Sequence, residues 1–202
     1  MFISVLSFKG GCGKTCTAIH LAGALSETAP TLLVDGDLNQ QGMEWSQPGL
    51  LPFEVVTEED ADRRSRGHTH VVIDTQARPS ETDLAVLVRN SDLVVLPTTP
   101  SAPSLAALMR TWQAIEGVSK GDDFRRRCRV LITIAPPRPS RAADDARAGL
   151  LGAGLPVMQS QIRRLSCFER AADLGVLVKD VADPRAQFGW DDYVRVRAEL
   201  LG

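Results

Sequence analysis

The sequence predicts an α/β protein with a mostly parallel central sheet and helices on both faces. Three observations carry this. Short apolar runs rich in β-branched residues alternate with helical patterns along the chain. The first such run, residues 3–8, leads through a glycine-rich turn directly into a helical pattern. Two later runs end in carboxylates, at Asp35-Gly36-Asp37 and at Asp74. That is where the strands of an α/β sheet meet their ligands.

Taken in order, residues 3–8 form the first strand, and the helix after the glycines runs through Ala18, Ile19, Leu21, Ala22 and Leu25. Residues 27–30 make a turn and 31–35 the second strand. Residues 38–45 read as a short helix or switch-like loop, and 53–56 as a short strand after the turn at 48–52. The charged stretch 58–67, ending in Arg63, Arg64 and Arg66, reads as a solvated helix or loop. Strand 69–74 follows; His68 and His70 flank its start without a third ligand nearby, so no metal site is expected there. A helix at 83–88 and a strand at 92–97 come next. Ser101 is placed to cap a helix through Leu105, Leu108, Met109 and Trp112. Arg125, Arg126 and Arg127 precede a strand at 129–134, and the prolines at 136, 137 and 139 stiffen a connector. Ser140 is expected to cap a helix over 141–151. A short strand at 156–158, a helix at 168–174 closed by Gly175, and an amphipathic helix at 191–200 complete the pattern. Tyr193, Val194, Val196 and Leu200 form that last helix's inward face. The 202 residues read as one domain.

The four cysteines form no Cys-x-x-Cys pair, and one lies in the glycine turn, so a reducing cytosol fits better than a disulfide framework. No apolar run approaches the ~18 residues of a membrane span, and no signal peptide is expected. Net charge is only −2, but it is unevenly spread. Residues 1–117 carry 8 Lys/Arg against 14 Asp/Glu, and residues 118–175 carry 11 against 6. A basic segment on an acidic protein suggests a local anionic partner.

The chemistry concentrates at Lys9-Gly10-Gly11-Cys12-Gly13-Lys14-Thr15-Cys16. Glycines let backbone amides converge on one point, and the following helix start adds its positive dipole end. The segment is a phosphate cradle: Lys14 is placed for β/γ-phosphates and the Thr15 hydroxyl for Mg²⁺. Asp74, at the end of a buried strand, is the carboxylate that would meet Mg²⁺ directly or through water.

With Phe8 where the common phosphate-loop pattern has its first glycine and Lys9 ahead of the glycines, the segment resembles the deviant Walker A motif of the ParA/MinD (SIMIBI) ATPases. Leu32 to Asp37 is similar to the family's second motif, with Leu38-Asn39 in place of the usual Pro-Gln. Val72-Ile73-Asp74 resembles its Walker B strand, and Ile162-Arg163, Ala171-Ala172 and Gly175 its late segment. The resemblance, which is to small ParA-type partition ATPases, implies a slow, partner- and DNA-stimulated ATP hydrolase. ATP and Mg²⁺ would join two subunits into a nucleotide sandwich. Lys9, Lys14 and Asp37 would be catalytic: Lys9 reaching the partner subunit's phosphates, Lys14 its own, Asp37 orienting water. Residues 9–16 would bind the nucleotide, and Thr15, Asp37 and Asp74 the metal. The dimer would present Arg125, Arg126, Arg127, Arg163, Arg164 and Arg170 to non-specific DNA, and a ParB-like or other small adaptor would stimulate turnover. The implied work is partitioning plasmid or chromosomal DNA, or positioning another cargo such as a chemoreceptor array or carboxysome, at a cytoplasmic, nucleoid-associated site.

Alternatives stand beside this. A MinD-like membrane switch needs a basic amphipathic tail, and the C-terminal stretch balances its charges and reads as core. A dethiobiotin-synthetase-like ligase on the same fold has no need of Lys9. A nitrogenase-iron-protein type would need bridging cysteines, whose pattern is missing around Cys128 and Cys167. No Asn-Lys-x-Asp occurs to read guanine.

Overall fold

The computed structural model describes residues 1–119 and 123–202. The chain runs β1 (Phe2–Val5), α1 (Lys14–Ser26), β2 (Thr31–Gly36), α2 (Gln41–Ser46), β3 (Glu54–Thr57) and α3 (Glu58–Arg64). It continues through β4 (His70–Thr75), α4 (Glu81–Asn90), β5 (Leu93–Thr98), α5 (Ala102–Val118) and α6 (Asp123–Arg127). It ends with β6 (Cys128–Ala135), α7 (Ala142–Gly152), β7 (Val157–Arg163), α8 (Cys167–Leu174) and α9 (Ala186–Leu201). The strands form one parallel sheet in the order β3-β2-β4-β1-β5-β6-β7. The fold class is as the sequence predicts.

The inner strands are apolar on both sides because helices cover both faces. Alternate residues define the two layers. Ile3, Val5, Leu33, Val72 and Val95 pack with α1, α8 and α9. Val94, Leu96, Val130 and Ile132 pack with α4, α5 and α7. The one polar residue of central β1, Ser4, is buried with its hydroxyl 2.7 Å from that of Ser91. The chain order reverses at β1, so the C-terminal ends of β1, β2 and β4 open on a crevice.

Several boundaries move. The first strand ends at Val5 instead of residue 8, because the chain turns away there: Leu6 keeps one bond to Val95, and the Lys9 N–H folds back onto Ser7 Oγ at 3.2 Å. Ser101 is the N-cap residue of α5, but its hydroxyl donates to Ser104 Oγ instead of accepting a helix N–H. The cap position of α7 is Arg141; Ser140, one residue earlier, accepts the Ala142 N–H at 3.3 Å. The strand expected at 156–158 extends to Arg163. It bulges against β6, and Glu199 accepts the exposed Gln159 and Ser160 N–H groups at 2.6 and 2.8 Å. The last helix starts at Ala186, five residues early, because Ala186 and Trp190 also bury into the core.

Candidate functional site

The glycine turn lies in the crevice. Gly11 and Gly13 stand at φ +74° and +81°, which a side chain would strain. Gly10 lines the cleft, and a Cβ there would meet no atom within 4 Å. Gly13 is the N-cap of α1 and offers no side-chain cap, so the first amides of a 13-residue helix face the cleft without an internal acceptor. Thr133 anchors the loop from β6, its hydroxyl donating to the Cys12 carbonyl at 2.7 Å.

Lys14 is the centre of the charge arrangement. Its ammonium lies 2.7 Å from Asp74 Oδ1 and 3.0 Å from Asp37 Oδ2, and its side chain is 8% exposed. Burial works against the lysine charge, but Asp74 and then Asp37 outweigh it, and its pKa stands above the ordinary value. Burial raises Asp74, and Lys14 offsets only part of that rise. The reason is visible in the geometry: two carboxylates share one cation, and the buried Asp74 Oδ2 has no partner. Thr15 lines the same cleft as Lys14 and Asp37. Asp37 is pulled below the usual carboxylate range in spite of partial burial, because Asn39 and Lys14 donate to it. Asn39 gives both its backbone N–H and its side-chain amide to Asp37 Oδ1, each at 3.0 Å. Asp35 is a loop-builder: its oxygens accept the Asp37 and Met43 N–H groups at 3.0 and 2.8 Å.

The structure therefore brings Lys9, Lys14, Thr15, Asp37 and the glycines round one cleft of about 550 Å³, with Asp74 at its floor through Lys14. Cys16 lines the cleft, whereas Cys12 is buried behind the loop and is not among its lining residues. The Cys12 thiol donates to the Lys9 carbonyl, and burial pushes the Cys16 thiol up to about 12 beside Tyr193. The Lys9 ammonium sits on Ser104 of its own α5, at 2.8 Å. Ser104 and Asn39 went unnoticed in the sequence. A serine 95 residues away gives no local signal, and Asn39 registered only as the change from Pro-Gln.

The six arginines expected to contribute to a composite face of a dimer lie at two ends of the sheet within one chain. Arg125, Arg126 and Arg127 lie before β6, at the N-terminal end of the sheet, whereas Arg163 is the last residue of β7 and Arg164 and Arg170 follow it at the other end. Arg125 pairs with Glu116 and stacks on Trp112 and Phe124. Arg127 donates to the Val88 and Ser91 carbonyls at 2.9 and 2.8 Å. Arg163 grips the buried Asp192 through Nε and Nη2, both at 2.8 Å. Arg126, Arg164 and Arg170 are exposed. Arg164 joins Arg138, Arg147, Arg185 and Arg195, none of them anticipated, around a cleft of about 820 Å³ at the β7 edge.

A glycine cradle on an uncapped helix start, with a lysine held between strand-end aspartates, defines a nucleotide-binding α/β domain. The model for the CobQ/CobB/MinD/ParA nucleotide binding domain matches residues 3–178, and the chain belongs to that family. It is 34% identical to "Maintenance of carboxysome distribution protein A" of Gloeobacter kilaueensis, over 98% of this chain and 93% of that protein. It is 23% identical to "Protein ParA" of Rhizobium radiobacter, over 86% of this chain and 82% of that one. An ATP complex of Cyanothece McdA superposes with a TM-score of 0.73 at 14% identity, covering 98% of this chain and 96% of that one. The protein is thus a ParA/MinD-type ATPase by family and fold. Among the described residues, no helix is long and apolar enough to cross a membrane.

Proposed function

We propose that the protein is an ATP-driven dimerising switch that positions a cargo over DNA, hydrolysing ATP slowly until an adaptor accelerates it. The observation behind this reading is the pairing of Lys14 with both Asp37 and Asp74 at the mouth of the α1 helix. A triphosphate entering the cradle competes for that ammonium. Its arrival frees Asp37 to orient a water and Asp74 to face the metal side. Oxygen donors from Thr15, Asp74 and Asp37, with Asp74 Oδ2 unpartnered, suit Mg²⁺, which would neutralise charge on the β/γ oxygens. Lys9, at the cleft rim, needs only to leave Ser104 to reach a second subunit's nucleotide. Dimerisation then depends on the triphosphate because the bridging cation has a target only when it is bound.

DNA contact belongs, in this reading, to the end of the sheet that carries the exposed Arg164 and Arg170, since the other β7-edge arginines, Arg138, Arg185 and Arg195, pair with Asp144, Asp183 and Asp192. Arg125, Arg127 and Arg163 are engaged inside the chain and would contribute least. A few phosphate contacts per subunit, doubled in a dimer, give weak and salt-sensitive binding. The Gloeobacter relative's name favours a protein compartment of the carboxysome kind as cargo; plasmid DNA is the second choice, from the resemblance of the glycine turn to partition ATPases.

Sedimentation with ATP, with ADP and without nucleotide, each with and without non-specific DNA, tests the switch. The wild type should double in mass and bind DNA only with ATP. Lys9→Ala should retain ATP and stay monomeric. A normal ATP dimer in that variant removes the cross-subunit role.

A further inference from the structure

The cleft of about 820 Å³ at the sheet edge is a second concave site, and it shares no lining residue with the glycine cleft. It follows the outer side of β7, the last strand of the sheet, between α7 and α9. Six arginines line it, against two aspartates. Four of the six are held by carboxylates: Arg138 by Asp144, Arg163 and Arg195 by Asp192, and Arg185 by Asp183. Each contact uses one or two of the five N–H donors of a guanidinium, so donors are left over.

The other two arginines make no ion pair among the described residues. Arg147 gives Nη2 to Gln161 Oε1 at 3.0 Å, and its Nη1 is buried without an acceptor. Glu199 of α9 does not serve it, being used by the Gln159 and Ser160 N–H groups. The exposed Arg164 side chain has no partner there either. A buried guanidinium nitrogen without an acceptor is costly, and an incoming anion relieves that cost. The cleft also has an apolar end, lined by Pro136, Pro137, Leu165 and Phe188. The Phe188 ring is 52% exposed, and the Arg163 guanidinium lies 5.5 Å from its centre. An exposed aromatic ring beside a guanidinium is a stacking platform for a planar heterocycle.

We infer that this cleft binds a small phosphorylated ligand with a planar ring, of the nucleoside diphosphate class, separately from the nucleotide of the glycine cradle. The ring lies on Phe188, and the phosphates meet Arg164, Arg147 and the spare donors of Arg138 and Arg195. Shape and charge together select this occupant. The volume falls within the roughly 300–1,000 Å³ of small-ligand pockets. The donors stand round a depression, whereas a rigid duplex laid across the sheet edge reaches mainly the projecting Arg164. The site stands on the cleft alone. Its consequence, competition between this ligand and DNA for Arg164, rests on the function proposed above.

The test uses nucleotide-free full-length protein and a fluorescent guanosine diphosphate, with unlabelled guanosine and pyrophosphate as competitors. Guanosine is chosen because no Asn-Lys-x-Asp marks the glycine cleft as its site. Arg164→Glu and Phe188→Ala should each weaken binding about tenfold. Arg126→Glu, at the other end of the sheet, and Lys14→Ala in the glycine cleft should each change it less than about twofold. Arg164 is unpaired and Phe188 half exposed, so urea midpoints of both variants should match the wild type. Guanosine and pyrophosphate should each need about tenfold more than guanosine diphosphate to displace the label. Amide shifts in the wild type should centre on Gln161, Arg164 and Phe188. Equal competition by either fragment, or equal affinity in the Arg164 and Phe188 variants, overturns the proposal. So does binding lost in Lys14→Ala with a footprint on residues 10–15. So does a short DNA duplex that shifts the cleft amides where guanosine diphosphate shifts none, since the cleft would then be a DNA contact. With ATP and DNA present, a ligand that fills the cleft without displacing the duplex removes the competition and keeps the site. Absence of DNA binding under every condition speaks against the switch instead.

Discussion

The two faces of this sheet are made from the same strands, one residue out of step. On β2 and β4, Leu33, Asp35, Val72 and Asp74 point towards α1, while Leu32, Val34, Val71 and Ile73 point away. The first face contains the buried charges and is closed; the second is apolar apart from Thr75 and is partly open at Ile73. The closed face also holds His20, with both ring nitrogens in use. Nδ1–H donates to the Cys16 carbonyl at 2.8 Å, and Nε2 accepts the Val178 N–H at 3.0 Å. Tyr193 stacks on the ring, with Trp45 and Phe168 at its edges. The difference shows why Lys14 and Asp74 can stay charged or polar while buried: Lys14 has both carboxylates within 3.0 Å. Charge buried in a low dielectric needs every partner fixed, and a sealed face supplies that. An apolar face has no such demand and can remain partly open.

The most severe way to break the closed face is to remove its cation. Lys14→Ala leaves Asp37 and Asp74 facing each other and takes the phosphate contact away. Loss of charge-assisted bonds worth about 3 kcal/mol lowers nucleotide affinity ~100-fold. Calorimetric titration with ATP measures it, and retained affinity would count against the cradle.

A proton tests the same face through His20. Burial lowers its pKa to about 4, while the Cys16 carbonyl bond holds it up only in part, against an unfolded value of 6.5. Between these values the unfolded chain binds a proton that the folded chain refuses. Stability is therefore fully present above pH 6.5, and is lost as the pH falls to about 4. The loss is on the order of 3 kcal/mol. Urea midpoints from pH 7.5 to 4.5 should show this slope in the wild type. His20→Leu should flatten it, starting from a lower midpoint because Val178 loses its acceptor.

Asn39→Ala is a finer probe of the closed face, at its edge. Asp37 would lose its side-chain amide donor and keep the backbone one. Its orientation loosens, and ATP turnover should fall about tenfold, which is ~1.4 kcal/mol in the barrier. ATP affinity should stay within about twofold, because Asn39 does not touch Lys14. A fall in affinity as large as the fall in turnover would mean that Asn39 supports the cradle and not the water-orienting carboxylate.

The closed face was largely legible from local pattern, and the open face was not. Glycines beside Lys14 and aspartates at strand ends are read within a few residues, and the fold then gathers Asp37 and Asp74 on Lys14 without further information. The Lys9–Ser104 and Arg163–Asp192 bonds join residues 95 and 29 positions apart, so charge counting alone made both cations look available. The split of the arginines between the two ends of the sheet has the same origin, since sequence proximity to a strand does not say which end of it faces the crevice. The open side escaped notice for a different reason. Val71 and Ile73 look like ordinary core; Val71 is buried, and Ile73 alone of the two is left partly exposed.

The smallest expected effect sharpens the comparison from the open side. Leu38 is 86% exposed, and Asp62 has no hydrogen bond or ion pair through its carboxylate among the described residues. Leu38→Ser and Asp62→Ala remove nothing that the folded chain has buried or paired, so each should shift stability by no more than ~0.5 kcal/mol. The same pair of changes on the closed face, an aliphatic side chain and a carboxylate, is represented by Leu33 and Asp35, both buried. Leu33→Ala should cost about 2–5 kcal/mol through the cavity it leaves. Asp35→Ala should cost about 1–3 kcal/mol for each amide of the Asp37 loop left without an acceptor. Urea unfolding of the four variants at pH 7.5 measures the contrast. If Leu38→Ser destabilised the nucleotide-free protein as much as Leu33→Ala does, Leu38 would be packed against the chain in solution, and the open side would already be closed by the protein itself.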